Sequence, residues 1–181
     1  TGTGNLISID EKGDIYAVGT FSGTIQFETQ SMTAASVENT DNFLVKYAAD
    51  GSMAWARSLK GSKLADINAM DVANHQVVIG GVIRSEDLAV DNAPGILMKT
   101  LDTTGTWNSM LIISFDTDGN YQWNYIAGSS NQPTDVKTIA IEKDGSIWNA
   151  GTTFGTYYFN PDAEDEAKQF PSKAKGGQDM Y

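Results

Sequence analysis

Apolar and polar residues alternate over short stretches along most of the chain, and no stretch requires a helix of two or more turns. Ile7, Ile9, Ile15, Ala17 and Gly19 follow a period of two, with β-branched or aromatic neighbours, which is the pattern of half-buried strands. The first third of the chain predicts four of them, over Leu6–Asp10, Asp14–Phe21, Phe43–Ala48 and Met53–Leu59. Turn signals punctuate the pattern. Asp50-Gly51 and Asp118-Gly119 read as hairpin turns, because a tight turn between right-twisted strands needs the positive φ that glycine supplies without a steric penalty. Lys12-Gly13-Asp14 and Lys143-Asp144-Gly145 do the same for the first two strands of two different stretches.

The pattern repeats. Displaced by 132 positions, Leu6–Phe27 aligns with Thr138–Phe159 without a gap, keeping Ile7/Ile139, Ile9/Ile141, Gly13/Gly145, Ile15/Ile147, Gly19/Gly151, Gly23/Gly155 and Phe27/Phe159. A shift of 68 aligns Phe43–Tyr47 with Leu111–Phe115, Asp50-Gly51 with Asp118-Gly119, and Trp55 with Trp123. A period of about 66 residues follows, with a diverged middle copy in which Gly81 takes the place of Gly19 and Leu88-Ala89-Val90 that of Ile25-Gln26-Phe27. The units run approximately over 6–66, 67–137 and 138–181 within a single 1–181 segment, the last incomplete, with Asp179-Met180-Tyr181 matching Asp41-Asn42-Phe43. Gly19 and Gly151 fall inside strands, where glycine marks close approach of another backbone or a bend. Gly23 and Gly155 mark an outward turn. Pro161–Ala174 reads as a solvated loop between second and third strands, with a short helix as the alternative.

Four short antiparallel strands per repeat, with periodic glycine and aromatic positions, describe a β-propeller blade. The expected fold class is therefore all-β, with about 2.7 four-stranded blades, a partial propeller. The words Gly13–Thr24, Asp41–Tyr47 and Asp50-Gly51 with Trp55 resemble the bacterial SBBP-type β-propeller repeat family, found in exported and surface proteins of Bacteroidetes. The match weakens in the second unit, where Arg84-Ser85-Glu86-Asp87 replaces the Gly-Thr segment and Ser114 the lysine. A closed propeller takes at least four blades, or about 260 residues at this period. The chain is accordingly expected to be a segment of a longer propeller, with self-association of chains to complete the propeller as the alternative.

Composition removes several function classes. Twelve basic against 23 acidic side chains leave a formal charge of -11, which repels phosphate backbones and anionic lipid, so nucleic acid is not an expected partner. With no cysteine, disulfides, thiolate nucleophiles and thiolate-ligated metals are excluded. The one histidine, His75, lies in the turn-like Ala73-Asn74-His75-Gln76 and reads as a solvated loop residue. The sequence carries no secretory signal pattern and no run of 18 apolar residues, so any export signal is expected to have been removed or to lie outside it.

Two places invite a ligand. In Asp116-Thr117-Asp118-Gly119-Asn120 the side chains of Asp116, Asp118 and Asn120 are oxygen-bearing at alternate positions, a pattern that wraps Ca²⁺. The loop stops short of an EF-hand, since Tyr121-Gln122-Trp123 begins a strand at once, and a plain hairpin turn is the competing reading. Trp107, in the long loop Asp91–Ser109, has no counterpart in the other units and is the aromatic most suited to contact a ligand. Trp55, Trp123 and Trp148 recur at matched positions, Trp148 in the slot of Tyr16, and are expected to pack between neighbouring units.

No Ser-His arrangement, nucleophile elbow, phosphate-binding glycine loop or histidine pair is present, so catalytic and cofactor-binding residues are not assigned. The expectation is a non-catalytic binding, adhesion or complex-scaffold module of an exported or cell-surface bacterial protein, extracellular or associated with the outer membrane. Its partner would be a cell-surface protein or glycan, or an outer-membrane complex, met through the loops Glu28–Thr40, Asp91–Ser109 and Asn160–Gln178. The alternative is a fragment of a propeller enzyme with catalytic residues in other blades, either a glycan-active hydrolase or a quinoprotein-like dehydrogenase, to whose repeats the Asp-Gly-x-x-x-Trp spacing is also similar.

Overall fold

A computed structural model describes residues 1–35, 40–63, 65–102, 104–128 and 132–154, together with the backbone of three short strands at 156–158, 171–173 and 179–180. The fold is all-β, and no helix occurs among the described residues. The chain opens with β1 (Gly2–Ile9) and β2 (Ile15–Phe21), makes a small hairpin of β3 (Thr24–Phe27) and β4 (Gln30–Thr33), and continues into β5 (Asp41–Tyr47) and β6 (Met53–Lys60). Then come β7 (Ala65–Ala73), β8 (Gln76–Ile83), the two-residue β9 (Ala89–Val90), β10 (Ser109–Asp116) and β11 (Tyr121–Ala127). The last strands are β12 (Thr134–Ile141), β13 (Ile147–Thr153), β14 (Thr156–Tyr158), β15 (Pro171–Lys173) and β16 (Asp179–Met180). Between β14 and β15, which pair, residues 159–170 lie outside the described residues, as does most of the stretch read as a loop from Pro161 to Ala174.

Three antiparallel meanders carry the fold. Sheet 1 runs β1-β2-β5-β6 with β9 on its outer edge, sheet 2 runs β7-β8-β10-β11, and sheet 3 runs β12-β13-β16. Their registers coincide. In each, the ladder between first and second strands breaks once, at Gly4/Leu6, Ile67/Ala69 and Val136/Thr138, leaving Asn5, Asn68 and Lys137 as the extra residue of a β-bulge. The residue just before each break is paired with Gly19, Gly81 or Gly151. An added Cβ on Gly19 would drive into the Thr3 carbonyl oxygen, and one on Gly81 into that of Asp66, so the strand glycines recur because the bulged first strand presses its backbone onto them. The third strands also match, with Asn42 opposite Thr20, Met110 opposite Val82 and Met180 opposite Thr152.

The hairpin glycines adopt the left-handed conformation, with φ of 84° at Gly13, 88° at Gly51, 80° at Gly119 and 89° at Gly145. In all four the glycine N–H donates to the carbonyl three residues earlier, as in a type I turn closed by a glycine bulge. The β7–β8 turn lacks this glycine. Asn74 and His75 take φ of 49° and 61° instead, a pair of positive values that defines the other tight hairpin turn, and His75 is exposed there.

The leading face of one sheet packs on the trailing face of the sheet before it. Between sheets 1 and 2, Tyr16, Val18 and Leu44 meet Ile67, Val72, Ile79, Leu111, Ile113 and Phe115. Between sheets 2 and 3, Val78, Met110 and Ile112 meet Val136 and Ile139. The leading face of sheet 1 is covered in part by the β3–β4 hairpin, whose Phe27 meets Phe43 edge to face at 5.0 Å, while Met32 closes the same cluster. Leu88–Val90, expected to repeat Ile25–Phe27, behaves differently: β9 pairs with β6 of sheet 1, stitching the two sheets at their outer edge.

Candidate functional site

The Asp116–Asn120 stretch forms the β10–β11 turn, and Asp116 works within it. Its Oδ1 accepts the N–H groups of Asp118 and Asn120 at 3.0 and 2.8 Å, and its Oδ2 accepts the side-chain amides of Asn120 and Gln122. Both carboxylate oxygens thus face donors of the same loop. Asp10 at the β1–β2 turn is used alike, taking the N–H groups of Lys12 and Asp14 on Oδ1 and the Tyr16 hydroxyl on Oδ2. Among the described residues no group of three or more acidic or histidine side chains gathers in a way that could hold a metal ion.

The outer surface of this turn is gripped by sheet 1. The Trp55 ring lies flat enough on Gly119 that an added Cβ would come within 2.7 Å of it. Its indole N–H donates to the Thr117 carbonyl at 3.1 Å, the Lys46 ammonium donates to the same oxygen at 3.2 Å, and Arg57 Nε donates to the Gly119 carbonyl at 2.7 Å. Asn92 adds a second donor to Gly119. Arg57 also stacks on Trp55, and Lys46 sits 5.2 Å from the Tyr16 ring centre while pairing with Asp14 at 2.9 Å. Burial pulls the Lys46 pKa down, but Asp14 and Tyr16 more than offset it, so the ammonium is held above its ordinary value. The hydrogen bond from Lys46 lowers the Asp14 carboxyl in turn. These polar groups are joined to one another and to backbone carbonyls, so their visible task is to lock two sheets together.

The long loop between β9 and β10 is a different kind of surface. Asp102 is buried at its base and accepts the N–H groups of Thr104, Thr106 and Trp107 and the Thr104 hydroxyl. Burial pushes its carboxyl pKa up, but the donors, led by the Trp107 N–H, outweigh that and hold it at about 2. The other end of the loop is pinned by the Leu88–Met98 bridge and by Ser109 Oγ, which accepts the Leu101 N–H at 2.8 Å. On this braced frame Trp107 stands 37% exposed and Leu97 57% exposed, with Ile96 also in solvent. A cleft of about 300 Å³ opens between Leu97–Leu101 and the β11 residues Asn124, Tyr125 and Ile126.

A smaller hollow of about 130 Å³ lies between the β1–β2 and β7–β8 turns, lined by Asp10, Glu11, Lys12, Asn74, His75 and Thr117. The Trp107 and Asp116 stretches belong to separate features, the first to the loop surface and the second to the sheet 1 grip. Of the contact loops named from the sequence, residues 36–39, 103, 160–170 and 174–178 lie outside the described residues. Asp102 was not singled out from the sequence, although Asp102-Thr103-Thr104-Gly105-Thr106 has the aspartate-then-hydroxyl spacing that favours side-chain capping of a loop. No protein-family model matches the chain, and no curated protein matches it closely enough to count as a relative.

Proposed function

We propose that the chain is a segment of a β-propeller of the SBBP-repeat type, and that it serves as a non-catalytic binding platform of an exported or cell-surface bacterial protein. Three meanders with one register, one bulge position and one sense of face-to-face packing support the propeller reading. The observation that carries the binding role is the 91–109 loop. A loop braced by a buried carboxylate and a hydroxyl, yet holding Leu97 and Trp107 in solvent beside an open cleft, is preorganised for contact and loses little entropy on binding. The titratable groups gathered between the sheets are spent on carbonyls and on each other, which favours a scaffold over a reaction centre.

The partner class is a cell-surface protein or glycan with an apolar or aromatic-accepting face, met by Trp107 and Leu97. The test is a glycan array together with solid-phase binding to purified cell-envelope proteins, using wild type and the double variant Leu97→Ser/Trp107→Ala. Saturable binding that drops at least about tenfold in the variant, at unchanged melting temperature, is expected for loss of two central apolar anchors. Equal binding by both proteins, or no saturable binding by wild type, overturns the loop as the contact surface.

A further inference from the structure

The second unit departs from the repeat at Arg84-Ser85-Glu86-Asp87, where the first and third carry Gly23-Thr24 and Gly155-Thr156. The departure follows β8, at the end away from the β7–β8 turn, and sheet 2 has sheet 1 on one face and sheet 3 on the other, so both its neighbours belong to this chain. It is tied to both ends of the 91–109 loop. Arg84 Nε donates to the side-chain oxygen of Asn108, the residue after Trp107, and the Thr100 N–H donates to the Ser85 carbonyl at 2.9 Å. Arg84 is half-buried, yet among the described residues its two terminal nitrogens have no hydrogen-bond partner and it forms no ion pair. Lys99, exposed on the wall of the cleft, has no acidic partner there either.

The other partly buried cations are spent: Lys46 pairs with Asp14, and Arg57 donates to the Ala56 and Gly119 carbonyls. The acids nearest Arg84 along this region are spent as well. Glu86 faces Lys63 at 3.8 Å, Asp87 accepts the Ser62 and Ser85 hydroxyls, and Asp102 holds four donors of its own loop. A partly desolvated charge is ordinarily paired, so in a chain of 23 acidic and 12 basic residues a half-buried guanidinium without a counter-ion is the exception. Fixed through Nε, it keeps its terminal N–H fork for a planar, bidentate acceptor, which is a carboxylate. We propose that Arg84, aided by Lys99, receives the carboxylate of an acidic saccharide, a uronate-bearing glycan, at the base of this loop. The proposal rests on the reading of the 91–109 loop as the contact surface, on which Trp107 supplies an aromatic face for the sugar ring. Thr100 and Asn124, on the walls of the cleft, bring polar groups suited to sugar hydroxyls. The net charge of -11 opposes a polyanion at long range, but at about 0.1 M salt charge effects fade beyond about 10 Å and the local cations decide.

Isothermal titration calorimetry at physiological salt provides the test, with oligomers of galacturonate, mannuronate and glucuronate as probes and the fully methyl-esterified form of each as its uncharged counterpart. Wild type is expected to bind at least one oligouronate, and at least about tenfold more tightly than its ester, the margin of one charge-assisted pair. Arg84→Gln is expected to bring the acid down to the affinity of the ester while leaving the ester unchanged, and Arg84→Lys to recover only part, because an ammonium lacks the fork. Lys99→Gln changes an exposed side chain, so it leaves folding intact, and it is expected to weaken the acid alone by roughly threefold. Lys12→Gln, the same loss of charge at the β1–β2 turn, is expected to bind as wild type. No oligouronate bound, an ester bound as tightly as the acid, Arg84→Gln and Lys99→Gln both as selective as wild type, or binding confined to a polyglutamate peptide overturns the proposal. The Leu97→Ser/Trp107→Ala protein separates this from failure of the loop reading. Undiminished, Arg84-dependent binding there removes the loop reading and keeps the carboxylate site, whereas lost binding there with a wild type blind to charge keeps the loop and removes the site.

Discussion

Gly81→Ala is expected to be among the most damaging single-methyl changes in the molecule. The new Cβ would sit 2.9 Å from the Asp66 carbonyl carbon and 3.0 Å from the Ile67 Cα, with the Asp66 oxygen closer still, where 3.4–4 Å is ordinary contact. All three atoms are backbone, so no side chain can swing aside, and β7 must retreat from β8 at the bulge. Overpacking of a tight interior costs about 1–3 kcal/mol. Loosening the ladder around Asp66 and Ile67 weakens roughly two hydrogen bonds at about 1 kcal/mol each. The sum, about 3–5 kcal/mol, is a large share of the 5–15 kcal/mol typical of a whole domain. For a chain of this size it corresponds to a fall in Tm on the order of 10 °C. Urea unfolding followed by tryptophan fluorescence and circular dichroism measures it directly. The control is Gly4→Ala, at the paired slot of sheet 1, where an added Cβ meets nothing within 4 Å and is expected to be neutral or stabilising by about 0.5 kcal/mol. A Gly81→Ala protein within about 1 kcal/mol of wild type, or a Gly4→Ala protein as damaged as Gly81→Ala, would refute the crowding argument.

Trp55→Ala removes a buried ring and strips the Thr117 carbonyl of one donor, and is expected to cost about 3–5 kcal/mol in urea unfolding. The corresponding Trp123→Ala, at a site 38% exposed, is expected to cost less than half as much. Asp102 has a folded pKa of about 2 against 3.8 for the unfolded chain, so its contribution is complete above pH 4 and is lost as pH falls towards 2. That contribution is at most about 2 kcal/mol before solvent screening, and Asp102→Asn is expected to flatten this part of the stability profile measured by urea melts from pH 2 to 6. Lys46, held above the ordinary lysine value of 10.5, stabilises fully below that pH and ceases to as pH rises through its folded pKa. Lys46→Met is expected to shrink the alkaline loss of stability in melts from pH 8 to 12 without removing it, since Tyr16, raised by burial, titrates in the same direction.

The main strands of the meanders and the hairpin glycines were legible because they are written in local physics, whereas the β3–β4 hairpin, whose second strand lies in the stretch read as the loop Glu28–Thr40, was not. Period-two alternation, a residue at positive φ and a repeated spacing each act within a few residues. The bulge was only half legible. Gly19, Gly81 and Gly151 announced a close approach, but the residues that cause it, Asn5, Asn68 and Lys137, share no chemistry, because a bulge is fixed by backbone pairing rather than by its side chain. In the turn Asp116–Asn120 the two Asp116 carboxylate oxygens accept four nearby donors, an arrangement that the alternation of oxygen-bearing residues does not by itself announce. Exposure was not legible at all. Ile7 and Ile139 are the same residue in the same repeat word, yet one lies open and the other is sealed. What separates them is the presence of a preceding sheet, a property of the neighbour and not of the word. That is why recurrence of apolar residues marks a packing face in every copy, while burial follows only where a neighbouring sheet sits on that face.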